Sequence, residues 1–308
     1  MKRDLISLAD LSRDELEGLC ADAARLKQEL RSGRGARPLV GKTLAMIFEK
    51  PSLRTRVTFE TGIKQLGGAS IYLAPEDIRL GARETVADIA RNLSRWVDMI
   101  VARTFSHRSL VELGRHATIP VINGLTDLSH PCQVLADIQT LQEHKGALEP
   151  LTVAFVGDGN NVVNSWLEAA GILGFGFRVA CPPGYEPNAE IAAAARRANP
   201  RVEVVNDPTA GVNGADAVYT DVWTSMGQEA ESQVRRVAFA GYQVNAALLR
   251  NAKPDAIVMH CLPAHRGEEI SADVLDGPRS VVLDQAENRL HAQKAVMVWL
   301  SAQSSPAR

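Results

Sequence analysis

Residues 43–56 read TLAMIFEKPSLRTR, and this stretch decides the fold of the first part of the chain. It opens with an apolar run of strand length, and Pro51 cannot extend either a strand or a helix. Ser52 is a favourable N-cap, so we expect a helix to begin at residue 52 or 53. The unpaired N–H groups and the positive dipole end of that helix, with its arginines and hydroxyls, suit a phosphate. The same string also fits a capped helix with solvated arginines, and the rest of the chain has to decide between the two.

Bulk composition excludes several classes of protein. A length of 308 residues suits two α/β lobes better than one core, and a net charge of -2 gives no electrostatic footprint for nucleic acid or an anionic membrane. No apolar run approaches the ~20 residues needed to span a bilayer. The four cysteines show no C-x-x-C or zinc-like spacing, so a disulfide framework is not expected. Residues 1–4 lead into acidic, helical-looking sequence rather than an apolar leader, which predicts a cytoplasmic protein.

Predicted strands and helices alternate along the whole chain, which indicates an α/β protein with two doubly wound parallel-sheet lobes joined by a hinge. Residues 144–150 carry Lys, Gly, Glu and Pro between a helix and a strand, so we place the boundary there, giving lobes 1–146 and 147–286. The polar, glycine-bearing residues 75–83 predict a loop. Near the end of the chain we expect a strand at 281–283, followed by a long helix from about Gln285.

Polar side chains stand at the ends of several predicted elements, where α/β sheets bind their ligands. Arg103 ends one strand, and His130 and Gln133 flank the start of a helix, so that both can point at one ligand. Asp221 and Cys261 each follow an apolar strand in the second lobe. Taken alone, the histidine also fits a core position and the cysteine an inert one, whereas arginines nearby would favour a reactive thiolate.

The stretch VAFVGDGNNV at residues 153–162 raises a second possibility, because it follows a strand and opens a helix. Gly157 and Gly159 match the first two glycines of a dinucleotide-binding motif, but Val162 stands at the third position. The next predicted strand ends without a clear acidic residue. A nicotinamide-dependent dehydrogenase is therefore the weaker alternative.

Four motifs then occur in a recognisable order: SLRTR at 52–56, HPCQ at 130–133, DVWTSMG at 221–227 and HCLP at 260–263. Together they resemble the signatures of the aspartate/ornithine carbamoyltransferase family, and within it those of the ornithine carbamoyltransferases. The resemblance runs from the N-terminal helix to the final helix. It implies that the C-terminal helix, about residues 287–308, returns to the first lobe.

The resemblance also implies substrates and site residues. Carbamoyl phosphate would bind the first lobe, 1–146, and L-ornithine the second, 147–286. The residues that it assigns to carbamoyl phosphate are Ser52, Leu53, Arg54, Thr55, Arg79, Arg103, His130, Gln133, Cys261, Leu262 and Arg289. Those that it assigns to ornithine are Asn161, Asp221, Ser225 and Met226. Arg103, His130 and Cys261 would be catalytic, no metal or cofactor would be needed, and the protein would be a homotrimer or a multiple of trimers.

Two residues depart from the family pattern, and the acceptor stays open. Leu53 stands where threonine is more common, and Arg79 stands where the family commonly has glutamine, on a loop that reaches a neighbouring subunit. Aspartate, putrescine or an N-acylated ornithine could replace ornithine as the acceptor. A non-catalytic module that binds an amino acid or anion is the alternative from another class.

Overall fold

The computed structural model describes residues 2–225 and 227–303. These residues form two compact units. Unit 1 contains the described residues up to Gln139 together with those from Glu287 onward, and unit 2 is Thr140–Ala286. The described C-terminal segment thus belongs to unit 1. No helix among the described residues is long and apolar enough to cross a bilayer.

Unit 1 is built on a four-stranded parallel sheet with the strand order β2-β1-β3-β4. The strands are β1 (Thr43–Phe48), β2 (Ala69–Leu73), β3 (Met99–Arg103) and β4 (Val121–Leu125). The helices are α1 (Arg13–Arg31), α2 (Leu53–Gln65), α3 (Pro75–Ile78), α4 (Val86–Trp96), α5 (His107–His116) and α6 (Pro131–Lys145), the last of which continues into unit 2. The order reverses between β1 and β3, so the carboxyl ends of these two strands form a switch point.

Unit 2 carries a five-stranded parallel sheet with the order β7-β6-β5-β8-β9. Its strands are β5 (Thr152–Val156), β6 (Gly176–Ala180), β7 (Val202–Val205), β8 (Ala217–Thr220) and β9 (Ile257–His260). Its helices are α7 (Asn161–Leu173), α8 (Ala189–Ala198), α9 (Pro208–Val212), α10 (Ser232–Ala238), α11 (Ala246–Leu249), α12 (Ala272–Leu275) and the first turn of α13 (Val282–Gln303). Here the order reverses between β5 and β8, which again makes a switch point. The prediction of two parallel α/β sheets is confirmed.

Two local predictions are wrong. The expected strand at 281–283 is the start of α13, and only a single bridge joins the neighbouring Ser280 to Val258 of β9. An apolar triplet is too short for its periodicity to distinguish strand from helix. The expected loop at 75–83 opens with the one-turn helix α3, because proline suits a first helical position and the Asp77 carboxylate accepts the N–H of Ala74 at 2.8 Å.

The glycine-rich turn after β5 has a packing explanation. A Cβ atom on Gly159 would lie 2.2 Å from the backbone nitrogen of Pro187, and the Gly159 N–H donates to the Tyr185 carbonyl at 2.9 Å. Gly157 adopts a φ of 140°, which side chains rarely allow. These glycines therefore permit two backbone segments to cross, and no phosphate is needed to account for them.

Candidate active site

The switch point of unit 1 lies at the N-terminus of α2. Ser52 caps this helix, and its hydroxyl accepts the N–H of Thr55 at 3.3 Å, which confirms the predicted helix start. The buried Arg289, on α13, donates through Nη2 to the Thr55 hydroxyl at 3.1 Å and through Nη1 to Oε1 of Gln133 at 2.5 Å. Gln133 in turn donates to Asp137 at 2.8 Å. One guanidinium therefore connects the first turns of α2 and α6.

His130 is buried directly before α6, close to three arginines. Burial lowers the pKa of its imidazole well below the ordinary value, and the positive charges of Arg289, Arg103 and Arg54 lower it further. The ring is therefore neutral near pH 7. Because the depressed pKa belongs to the folded state, this histidine's contribution to stability is present above the unfolded pKa of about 6.5 and is lost as pH falls through the folded pKa.

Charge balance in this part of unit 1 favours an anion. Arg103 ends β3 beside Phe48 of β1 and is buried, and Arg54 lies in the first turn of α2. Like charges in a partly desolvated site repel each other, and a bound anion relieves that repulsion. By contrast, Arg56 of the same motif is exposed, ion-paired with Glu60 at 2.9 Å and stacked 3.7 Å from the Tyr72 ring centre. The two arginines of the motif thus have different environments.

The two residues that depart from the family pattern are both exposed. Leu53 is the first residue of α2, and its side chain is 74% exposed. Arg79 ends α3 in the left-handed conformation with a φ of 41° and is also exposed. Neither side chain is packed in the core of unit 1.

The switch point of unit 2 holds a carboxylate. Asp221 follows β8 and is buried, and its Oδ2 accepts from the Asn160 amide at 2.7 Å. Its Oδ1 accepts from the Cys261 thiol at 2.9 Å and from the N–H of Val222 at 2.8 Å. A carboxylate has about four acceptor positions, so three internal donors leave room for one more.

The other residues assigned to ornithine flank this carboxylate in the sequence or across the sheet. Asn161 is the first residue of α7, the helix that Asn160 caps by accepting the N–H of Val162 at 2.9 Å. Ser225 lies in a turn in which its N–H donates to the Gln228 side chain at 3.2 Å. Met226 lies outside the described residues.

The sequence did not predict a buried ion pair at the turn that follows β5. Asp158, in the turn after β5, lies 2.5 Å from Nη2 of Arg235 on α10, and Nε of that arginine donates to the Trp223 carbonyl at 2.5 Å. Both side chains are buried, and the guanidinium carbon also lies 4.9 Å from the Tyr185 ring centre. Arg235 therefore anchors the segment between Asp221 and Ser225. A carboxylate between two glycines at a strand end was the only signal in the sequence, and nothing marked Arg235.

Burial raises the pKa of Asp158 to about 6, although the charge of Arg235 opposes that shift. Below this pH the carboxyl takes up a proton and the ion pair is lost. The same protonation has the opposite effect on the stability of the fold, which it increases. A raised folded pKa adds stability that is complete below the unfolded pKa of about 3.9 and is lost as pH rises through about 6.

Among the described residues, two groups of side chains have donor atoms close enough for a metal ion. They are Asp221, His260 and Cys261, and His265, Glu268 and Glu269; within each group the atoms lie within 4.8 Å of one another. In the first group both ring nitrogens of His260 already have hydrogen-bond partners. In the second, Glu268 is ion-paired with Arg236 at 2.6 Å. The donor sets are therefore engaged within the protein.

Comparison with known proteins finds a family model for each half of the chain. Residues 3–143 match the model of the aspartate/ornithine carbamoyltransferase carbamoyl-P binding domain, and residues 149–300 match that of the Asp/Orn binding domain. The chain belongs to the aspartate/ornithine carbamoyltransferase family.

Individual relatives cover nearly the whole chain. It is 56% identical to an ornithine carbamoyltransferase of Symbiobacterium thermophilum, over 97% of this chain and 98% of the relative. It is 54% identical to an ornithine carbamoyltransferase of Syntrophus aciditrophicus, over 96% of this chain and 99% of the relative. Among solved structures, the ornithine carbamoyltransferase from Pyrococcus furiosus has a TM-score of 0.94 at 51% identity, and the match covers 96% of both chains.

The different environments of Arg54 and Arg56 lead to a test with inorganic phosphate. We expect phosphate to raise the Tm of the protein. At a phosphate concentration 100 times its Kd, binding should add about 2.7 kcal/mol to the free energy of unfolding. Arg54→Met should weaken phosphate binding about tenfold or more, since a hydrogen bond to a charged group contributes about 1.5–3 kcal/mol. Arg56→Met is the matched control and should bind as the wild type does. Equal losses in both variants, measured by calorimetry, would contradict the assignment of the site to Arg54.

Proposed function

We propose that this protein transfers the carbamoyl group of carbamoyl phosphate to the side-chain amine of L-ornithine, giving L-citrulline and phosphate, in arginine metabolism. The observation that carries the proposal is the cluster of three arginines around the buried, neutral His130, one of which, Arg54, lies in the first turn of α2. Such a cluster fits a ligand with a phosphate group better than it fits a neutral ligand. The family of the chain and the names of its relatives support the same reaction.

Carbamoyl phosphate is proposed to bind unit 1. Arg54 and the hydroxyl of Ser52 suit the phosphate, because they lie where the α2 dipole also favours negative charge. The residues proposed for the carbamoyl group in this unit are Thr55, Arg103, His130 and Gln133. Thr55 and Gln133 are both held by Arg289, so their orientation is fixed before any substrate binds. This preorganisation reduces the entropy that binding would otherwise cost.

Ornithine is proposed to bind unit 2. Asp221 offers a carboxylate for an ammonium group, and the Asn160 and Cys261 contacts hold that carboxylate in place. Asn161, Ser225 and Met226 are proposed to hold the amino-acid end of the substrate. Putrescine has no carboxylate for these residues, and an N-acylated ornithine lacks the α-ammonium charge.

The reaction needs an unprotonated amine. A free alkyl amine has a pKa of ~10.4, so removing its proton near pH 7 costs roughly 4–5 kcal/mol. We propose that Cys261, whose thiol donates to Asp221 at 2.9 Å, helps to orient the amine and that the Asp221 carboxylate accepts its proton. Attack on the carbamoyl carbon then gives a tetrahedral intermediate that expels phosphate.

Negative charge develops on the carbonyl oxygen during attack, and then on the leaving phosphate. Arg103, a neutral His130 and the Thr55 hydroxyl are proposed to donate hydrogen bonds to the oxygen, and Arg54 to the phosphate. In comparable sites the loss of one such donor costs about 2.7–4 kcal/mol of transition-state stabilisation. Because His130 is neutral, it acts as a hydrogen-bond donor rather than as a general acid.

A trimeric assembly and a cytoplasmic location complete the proposal. Large apolar side chains of unit 1, including Leu53, Val57 and Ile71, are exposed, as expected of surfaces that pair with another chain. The exposed Arg79 is proposed to reach the phosphate site of a neighbouring subunit. Cys20, Cys132 and Cys181 are buried free thiols, which suits a reducing compartment.

The direct test of the reaction is citrulline formation from carbamoyl phosphate and L-ornithine, run beside aspartate, putrescine and N-acetylornithine. We expect turnover with ornithine and little with the others, because only ornithine combines an α-carboxylate and a charged α-amine with a second, side-chain amine that can attack. Efficient turnover with another acceptor would overturn the roles given to Asp221 and Ser225. A folded protein that turns over none of them is a binding module.

The Asp158–Arg235 pair predicts a pH effect on amino-acid binding. L-2-Aminopentanoate has the ornithine skeleton without the reacting amine, so its Ki against ornithine reports binding alone. As pH falls through about 6, protonation of Asp158 should loosen the anchored segment and raise Ki about five- to tenfold, the effect of about 1–1.4 kcal/mol. Asp158→Asn should show a high Ki at every pH. Glu203→Gln, at an exposed ion pair with Arg178, is the control. A wild-type Ki that does not change across this range contradicts the anchor.

The trimer predicts a sedimentation-equilibrium mass three times that of the chain, or a multiple of it. Leu53→Glu and Val57→Glu should shift the mass toward that of one chain, because they place charge on exposed apolar positions of α2. The exposed Val237→Glu, on unit 2, is the control. A single-chain mass for the wild type at micromolar concentration would exclude the assembly.

A further inference from the structure

The loop from His260 to His265 carries two of the residues that the family resemblance assigns to substrate binding, Cys261 and Leu262. Leu262 has a φ of 56°, in the left-handed region that branched or bulky side chains rarely adopt. Neighbouring groups must hold the backbone in this conformation, since the leucine itself disfavours it. The contacts on either side of Leu262 identify those groups.

His260 makes the first of these contacts. Its side chain is fully buried, and its Nδ1 accepts the backbone N–H of Leu262 at 2.8 Å. A ring nitrogen that accepts a hydrogen bond carries no proton, so the proton of the neutral ring lies on Nε2. Nε2 then donates to Oε1 of Glu269 at 3.1 Å. The hydrogen bonds therefore set both the tautomer and the orientation of the imidazole.

Glu269 contacts both ends of the loop. Its side chain is also fully buried, and the same Oε1 that faces the His260 ring accepts the backbone N–H of His265 at 2.5 Å. One carboxylate oxygen thus joins the first and last residues of the loop. Burying a carboxylate is costly unless hydrogen bonds offset the loss of water, and the hydrogen bonds of Glu269 to this loop are made by Oε1.

We propose that His260 and Glu269 are a positioning pair that fixes the backbone of Leu262 and the side chain of Cys261 for the reaction. This inference rests on the proposed function. Neither residue needs to touch a substrate: Glu269 orients the imidazole, the imidazole holds the Leu262 N–H, and the fixed backbone keeps the Cys261 thiol 2.9 Å from Asp221. Loss of the pair should affect catalysis more than it affects the fold.

Two substitutions at His260 separate its two ring nitrogens. In His260→Asn the amide oxygen takes the position of Nδ1 and can still accept the Leu262 N–H, but the side chain is too short to reach Glu269. In His260→Gln the polar group reaches Glu269 and leaves the Leu262 N–H without its acceptor. We expect His260→Gln to lose about tenfold or more in kcat, and His260→Asn to stay within about threefold of the wild type, because only the latter keeps the Leu262 hydrogen bond.

The same contrast can be made from the other side of the hydrogen bond. Glu269→Gln keeps an oxygen for the His265 N–H and the His260 ring, whereas Glu269→Leu removes it. We expect kcat to fall about tenfold or more in Glu269→Leu and to be largely retained in Glu269→Gln. If Glu269→Leu does not fold, the comparison of the two His260 variants decides alone.

Val179→Ala, in the core strand β6, controls for a general loss of stability, since it lowers Tm without touching the loop. Each variant is assayed well below its own Tm, and kcat is compared at saturating carbamoyl phosphate and ornithine. Equal kcat in His260→Asn and His260→Gln, or losses that follow Tm as in Val179→Ala, would overturn the positioning role. A wild type that forms no citrulline contradicts the proposed function instead, so the two failures are distinguishable.

Discussion

Repulsion between like charges is the constraint on which the active-site half of unit 1 depends. Arg54, Arg103 and Arg289 come from the start of α2, the end of β3 and the body of α13, and all three act on the buried ring of His130. Burial of the ring, and then the charges of these arginines, lower the pKa of His130 and disfavour a fourth positive charge, so the histidine is neutral near pH 7. The fold brings them together because parallel strands end at one edge of the sheet, where the chain order reverses.

Unit 2 uses the same topology for the opposite charge. Its switch point presents the Asp221 carboxylate, and the buried Asp158 lies in the adjacent turn with Arg235 as its counter-ion. Donors from Asn160, Cys261 and a backbone N–H hold Asp221, so its orientation does not depend on a ligand. A cationic site for an acyl phosphate and an anionic site for an amine are what carbamoyl transfer to ornithine requires. Behind both sites, buried hydrogen bonds determine where the reactive groups point.

Local features were predictable from the sequence, and long-range contacts were not. The start of α2 followed from Ser52, and the strand-end positions of Arg103 and Asp221 followed from apolar runs that stop at a polar residue. The strand expected at 281–283 was wrong because three apolar residues cannot indicate their own period. Arg235 and Glu269 were missed because their importance comes from contacts with Asp158 and His260, and neither contact leaves a periodic signal in the sequence. The resemblance to a family supplied the proposed site residues, and the structure supplied the side chains that contact them.

The most direct test of this account is the protonation state of His130, measured by 15N NMR of the protein labelled at histidine, with His130→Asn used for assignment. We predict the two distinct ring-nitrogen resonances of a neutral imidazole at about pH 7, and we expect them to persist as the pH falls below the ordinary pKa of histidine, because burial and then the nearby arginines lower the pKa of His130. The same neutral ring is predicted at about pH 7 with carbamoyl phosphate bound. Two equivalent imidazolium resonances near pH 7 would contradict the account, because a charged His130 could act as a general acid and the arginines would not be the source of the site's charge.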